Sequence, residues 1–130
     1  MNIVLDTNII VSAIWSPGKN ASNIMMSVFS GRNTVCYDYR IMDEYNRVLH
    51  YEKFGFDDHS INLYLDPIIS YGISVIPDPL PLADFTRDES DRKFFEVAKY
   101  CNAFLITGNL THFPKEPFII TPSDFCSRFL

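Results

Sequence analysis

No stretch of this chain approaches the roughly 18 consecutive apolar residues of a membrane span. The N-terminus has no basic segment, and Asp6 interrupts the one apolar run there, so no signal peptide is expected and the protein is read as cytoplasmic. Cysteine is scarce: Cys36, Cys101 and Cys126 are odd in number and widely spaced, as suits reduced thiols in or near a core rather than a disulfide framework, a redox motif or a zinc site. The three histidines, His50, His59 and His112, stand far apart and offer no zinc spacing. A Gly-rich phosphate loop and a nucleophilic serine elbow are both missing. So is any basic run: the 11 Lys and Arg residues are scattered and the net charge is −5, so the sequence does not advertise a DNA-binding tail or a polyanion groove. Nucleic acid itself is not excluded, because bound divalent cations would offset several negative charges locally. Repeats, low-complexity segments and domain boundaries are also missing, so one domain over residues 1–130 is expected.

What remains is a chain that is 47% hydrophobic, 15% aromatic and 21% charged, enough to bury a sizeable core and too apolar for wholesale disorder. Short apolar runs alternate with stretches of helical spacing. Ile3-Val4-Leu5, Thr34-Val35-Cys36, residues 73–76, Phe104-Leu105-Ile106 and Phe118-Ile119-Ile120 have the pattern of buried strands. Between them lie helices over about 8–15, 21–29, 41–49, 57–71, 89–101 and 123–129. Ile61, Tyr64, Leu65, Ile68 and Ile69 are assigned to the inner face of the fourth, which ends at Gly72. Pro77-Asp78-Pro79-Leu80-Pro81 cannot continue a central strand. The alternation predicts an α/β fold with a mostly parallel sheet and helices on both faces.

Four polar residues stand where such a fold least tolerates them. Asp6 follows the first strand and Asn109 follows Thr107-Gly108 after the fourth, at strand ends where open α/β sheets bind ligands. Asp6 admits two readings, a site acid or a cap for the helix that starts at Thr7-Asn8. Glu44 shares a helix face with Ile41, Tyr45 and Val48, whereas Asp43 and Asn46 occupy the solvated face, so Glu44 points inward, either to a site or to an arginine partner. Asp88 is a good N-cap for the helix after it, which leaves Asp91, in the first turn, either to favour the helix dipole or to face the site. Asp84 and Glu89 are read as solvated loop charges. Thr107-Gly108-Asn109 can also be a plain turn, and His112 a loop residue with a structural hydrogen bond. His50 and His59 are read as surface or partly buried residues without partners. A charge at the edge of a core is costly unless paired or metal-bound, so three acids and an amide together would make a hard-cation site.

In this order, Asp6-Thr7-Asn8, Glu44 within Glu44-Tyr45-Asn46-Arg47-Val48-Leu49, the stretch Asp88 to Ala98 around Asp91, Thr107-Gly108-Asn109 and the closing Phe118 to Phe125 resemble the PIN-domain nucleases. The likeness runs nearly end to end and is greatest to the small VapC-like ribonucleases that act as toxins in prokaryotic toxin–antitoxin pairs. It implies a PIN-like three-layer α/β/α fold and a metal-dependent endoribonuclease. Asp6, Glu44 and Asp91 would be the catalytic, Mg²⁺- or Mn²⁺-binding acids, Asn109 a further ligand, and Thr7, Asn8 and Thr107 supporting residues. It also implies an RNA substrate, single-stranded or looped, a cognate antitoxin and a homodimer. One position departs from the pattern. The family often has Asp after Thr-Gly, and Asn109 can ligate a cation but brings no charge, so the second ion is the one put in question. The rival expectation is a catalytically weak or inactive PIN-like module that binds RNA or protein. A phosphotransfer domain using Asp6 is a weaker alternative, because neither a second acid close after Asp6 nor a lysine after a late strand is evident.

Overall fold

The computed structural model describes residues 1–81 and 88–130; Asp84 lies outside them. Strand β1 (Asn2–Leu5) leads into α1 (Thr7–Trp15) and α2 (Asn20–Phe29), then β2 (Thr34–Tyr37), α3 (Tyr39–Leu49), α4 (Asp58–Tyr71) and β3 (Ile73–Ser74). After the loop come α5 (Arg92–Cys101), β4 (Phe104–Ile106), β5 (Ile119–Ile120) and α6 (Pro122–Phe129). Short 3₁₀ turns occupy Glu52–Phe54, Glu89–Asp91 and Leu110–His112. No helix among the described residues is long and apolar enough to cross a membrane.

The five strands form one sheet in the order β3-β2-β1-β4-β5, and every pairing is parallel. Ile3, Val4 and Leu5 are all fully buried, although successive strand residues point to opposite faces. A strand can be apolar on both faces only when helices cover both, which is the three-layer arrangement expected from the sequence. The register sets Leu5 beside Ile106, and the Asp6 amide continues the ladder to the Ile106 carbonyl at 3.0 Å. Asp6 and Thr107 therefore leave the sheet side by side.

Two expectations are corrected. Ile69 is 53% exposed while Ile61, Leu65 and Ile68 are buried; the inward stripe of α4 is narrow, and Ile69 lies past its edge. Residues 73–76 pair as a strand only over Ile73–Ser74, and both are exposed. β3 is an edge strand, and the proline-rich segment starting at Pro77 ends it. The three cysteines are free thiols, Cys36 buried and the others half-buried.

Gly72, which ends α4, has a packing reason to be glycine. A Cβ there would meet the Ile68 carbonyl oxygen inside contact distance and the Val35 carbonyl oxygen at 2.8 Å. Both are backbone atoms of packed elements, so neither can swing aside. Gly72→Ala should destabilise the protein by about 2 kcal/mol, the usual scale of forced overpacking. A urea-denaturation midpoint equal to the parent's would show that the α4–β2 junction yields freely.

Candidate functional site

The chain runs from β1 outward to β2 and β3, then crosses back to lay β4 and β5 on the other side of β1. The order reverses between β1 and β4, and the crevice beyond the carboxyl ends of these two strands is where such sheets bind ligands. Asp6 follows β1 and Thr107 follows β4, so the topology itself brings them to that crevice.

Asp6 occupies the N-cap position of α1, yet its side chain makes no capping bond. Its Oδ2 instead accepts a hydrogen bond from the Thr107 hydroxyl at 2.7 Å, and the residue is buried. The carboxyl also feels the Thr7 amide at the first residue of α1, so it serves the helix start while it is turned toward Thr107. Burial pushes the Asp6 carboxyl above its ordinary pKa. The Thr107 hydrogen bond opposes that rise, and the nearby charge of Glu44 adds to it.

Glu44 is brought to the crevice by α3. Asp38 caps this helix by accepting from the Ile41 amide at 3.0 Å, and Arg40 bridges Asp38 to the buried Glu96. Fully buried Tyr45 donates its hydroxyl to the Leu5 carbonyl at 2.5 Å, which ties α3 to the end of β1 one residue before Asp6. Glu44 points inward as its helix face predicts, but its partners differ from the arginine considered above. One oxygen accepts from the Thr7 hydroxyl, and the other holds the Lys93 ammonium at 2.8 Å.

Asp91 ends the 3₁₀ turn before α5. Asp88 caps that turn through the Ser90 amide and hydroxyl, as expected. Asp91 is left free of capping, and its Oδ2 lies 3.4 Å from Nδ1 of His112. Its pKa is raised to about 6, first by desolvation and then by the charge of Asp6; His112 pulls it down, and Asp88 and Glu44 push it up. Asp6, Glu44 and Asp91 thus press on one another electrostatically. As they stand, no three His, Cys, Asp or Glu side chains among the described residues are grouped closely enough to hold a metal ion.

The amide of Asn109 is exposed and occupied. Its oxygen accepts from the Thr111 hydroxyl at 2.9 Å, and its nitrogen donates to Nε2 of His112 at 2.8 Å. The other ring nitrogen of His112, Nδ1, is the one that faces Asp91. The Asn109 backbone amide donates to the Thr107 hydroxyl at 3.0 Å. Thr7 and Thr107, expected to support the site, each orient one acid; Asn8 is exposed. His50 has partners after all: Asp58 at 2.9 Å and the Asn46 carbonyl, because the end of α3 abuts the start of α4.

Two participants carried little signal in the sequence. Lys93 is one lysine among scattered cations, and its pairing with Glu44 joins distant segments. His112 was legible only as a loop histidine. A groove of about 1200 Å³ runs between α3, α4 and α5; Lys93 joins its walls to Glu44, and Arg40, Arg47, Asp43, Asp66 and Glu89 also line it, whereas Asp6, Glu44 and Asp91 do not.

The donors at the crevice are oxygen atoms of hard, anionic or neutral character, a set that suits Mg²⁺ or Mn²⁺ rather than zinc or copper. Their mutual repulsion is what a bound cation would relieve.

No curated protein matches the chain. Among solved structures it is similar to one described as the crystal structure of VapBC2 from Rickettsia felis bound to a DNA fragment from their promoter. The TM-score is 0.57 and the identity 21%, over 93% of this chain and 97% of that one. A family model described as PIN domain matches residues 2–111, a span that holds Asp6, Glu44, Asp91, Thr107 and Asn109. With most of its length matched, from β1 through the turn after β4, the chain belongs to the PIN-domain family.

Proposed function

We propose that this protein is a divalent-metal-dependent endoribonuclease and the toxin half of a toxin–antitoxin pair. The observation that supports the reading is that Asp6, Glu44 and Asp91 act electrostatically on one another near the switch point of the sheet, where burial first and neighbouring charge second raise Asp6 and Asp91. Membership of the PIN-domain family supports it. The fold it shares with the VapBC2 complex motivates the antitoxin partner, and the resemblance of its motifs motivates the homodimer. In this reading the protein works in the cytoplasm, where its RNA is.

Asp6, Glu44 and Asp91 would hold Mg²⁺ or Mn²⁺, and Asn109 would join them by giving up Thr111. A bound cation would neutralise charge on the scissile phosphate and lower the pKa of water there. The chain's own residues supply the rest. Thr7 and Thr107 fix the directions of Glu44 and Asp6. Asp91, with a pKa of about 6, is suited to take a proton on its carboxylate near neutral pH. Single-stranded or looped RNA is the substrate proposed, because its backbone can enter a narrow acidic crevice with its bases splayed.

Labelled single-stranded RNA should be cut in Mg²⁺ or Mn²⁺, left whole in EDTA, and cut again when the metal is restored. Cutting that persists in EDTA would overturn the metal reading. One observation favours the rival, a weak or inactive binding module: the Asn109 side chain is committed to Thr111 and His112. That rival predicts RNA binding without cutting under every metal condition.

A further inference from the structure

Lys93 is the second residue of α5, and its ammonium does not reach for water. It stands 2.8 Å from Glu44 Oε1, with only 12% of the Lys93 side chain and 15% of the Glu44 side chain exposed. It also donates to the Ser90 carbonyl and lies over the Phe94 ring at 5.1 Å. Because the other Glu44 oxygen is taken by the Thr7 hydroxyl, both oxygens of this acid are engaged by donors. Lone pairs remain on this carboxylate, but an ammonium 2.8 Å from Oε1 would repel a divalent cation brought to the same oxygen. Lys93 also lines the groove between α3, α4 and α5, where Arg40, Arg47 and Arg92 stand alongside Asp43, Asp66 and Glu89, so an ammonium released from Glu44 has a groove to turn into.

We propose that Lys93 is the resident counter-ion of Glu44, exchanged for the divalent cation, and that its freed ammonium then meets an RNA phosphate in the groove. The inference rests on the metal-dependent nuclease reading above and deepens it. In the metal-free protein Lys93 offsets the repulsion among the acids and holds Glu44 in place. On loading, the positive charge at Glu44 is replaced by that of the ion, and the lysine becomes a positioning group for the substrate backbone. Affinity for the ion is then set partly by the lysine it must displace. A merely structural ion pair predicts the reverse, since loosening Glu44 would weaken metal binding or leave it unchanged.

The test is Mn²⁺ binding, followed by the paramagnetic resonance of the free ion, for the parent, Lys93→Met and Lys93→Arg. Removing a competing unit charge a few ångströms from the ion should tighten binding by about tenfold, even in a well-screened crevice. Lys93→Met should therefore bind more tightly, and Lys93→Arg, which keeps the charge, should stay near the parent. If Lys93→Met does not fold, Lys93→Gln tests the same displacement. With Mn²⁺ saturating, the neutral variant should show a KM for RNA raised about tenfold. Affinity in the neutral variant equal to or weaker than the parent's overturns the exchange, and an unchanged KM overturns the phosphate contact. If the parent binds Mn²⁺ and the neutral variant binds no more tightly, this inference fails alone. If neither binds, the metal reading fails with it.

Discussion

Asp6→Asn is expected to lower RNA cleavage by at least about a thousandfold while the protein stays folded. The position is fixed from three sides: the Asp6 amide is in the sheet ladder, Tyr45 holds the preceding carbonyl, and Thr107 holds the carboxylate. An asparagine has the same shape, and its oxygen can still accept from Thr107, so little should move. What disappears is one negative charge at the point where the strand order reverses. Charge stabilisation of a phosphoryl transition state by a metal is worth several kcal/mol, and each 1.4 kcal/mol is tenfold in rate, which gives roughly three decades. Burial and Glu44 already disfavour the ionised Asp6, so the metal-free variant should melt at or above the parent's temperature. Single-turnover cleavage in Mg²⁺ together with melting in EDTA checks both halves. Cleavage within tenfold of the parent would remove Asp6 from the chemistry. A variant that is inactive because it has unfolded would show itself in the melt.

The sheet and most of its helices are legible because their signals are local. Three apolar residues followed by an acid mark β1, and the neighbours Ile41, Tyr45 and Val48 turn Glu44 inward whatever lies opposite it. The same reasoning fails where the deciding contact comes from elsewhere in the chain. That Glu44 would find Lys93 and Thr7 rather than an arginine depends on how α3 packs against α5 and α1, which no spacing encodes. His112 is a similar case. Its place against Asp91 follows from the turn after β4 and from Asn109, which holds the other ring nitrogen. Ile69 and residues 73–76 are misread for another reason: an edge strand and the rim of a helix stripe carry apolar residues without burying them.

The second large effect joins proton, cation and stability. An acid whose pKa is higher in the folded than in the unfolded state keeps its proton in the folded state while the unfolded chain loses it. As pH rises from the ordinary aspartate value near 3.8 to the folded value of about 6 for Asp91, the folded state loses ground, and above that window the deficit is constant. Asp6, also raised, acts in the same direction. Asp57 and Asp88, held below the ordinary value by the Ser60 and Ser90 amides, change their contribution only at lower pH. In EDTA the protein should therefore melt at a higher temperature at pH 5 than at pH 7.5, and Asp91→Asn should flatten the slope. A cation binds only the ionised carboxylates, so its affinity should strengthen as pH rises through about 6. At a hundred times its Kd a ligand adds about 2.7 kcal/mol, which for a domain of this size is about 10 °C of melting temperature. Scanning calorimetry of the parent and Asp91→Asn, with and without Mn²⁺ at both pH values, separates the contributions. A parent curve in EDTA that is flat across the window would mean that neither burial nor the charges of Asp6, Asp88 and Glu44 raise Asp91. A slope that persists in Asp91→Asn would belong to Asp6 or to His50, whose pKa is raised by the Asn46 carbonyl and Asp58 and whose contribution is also lost as pH rises. Mn²⁺ should stabilise the parent more at pH 7.5 than at pH 5, because at pH 7.5 the ion no longer has to displace the proton on Asp91.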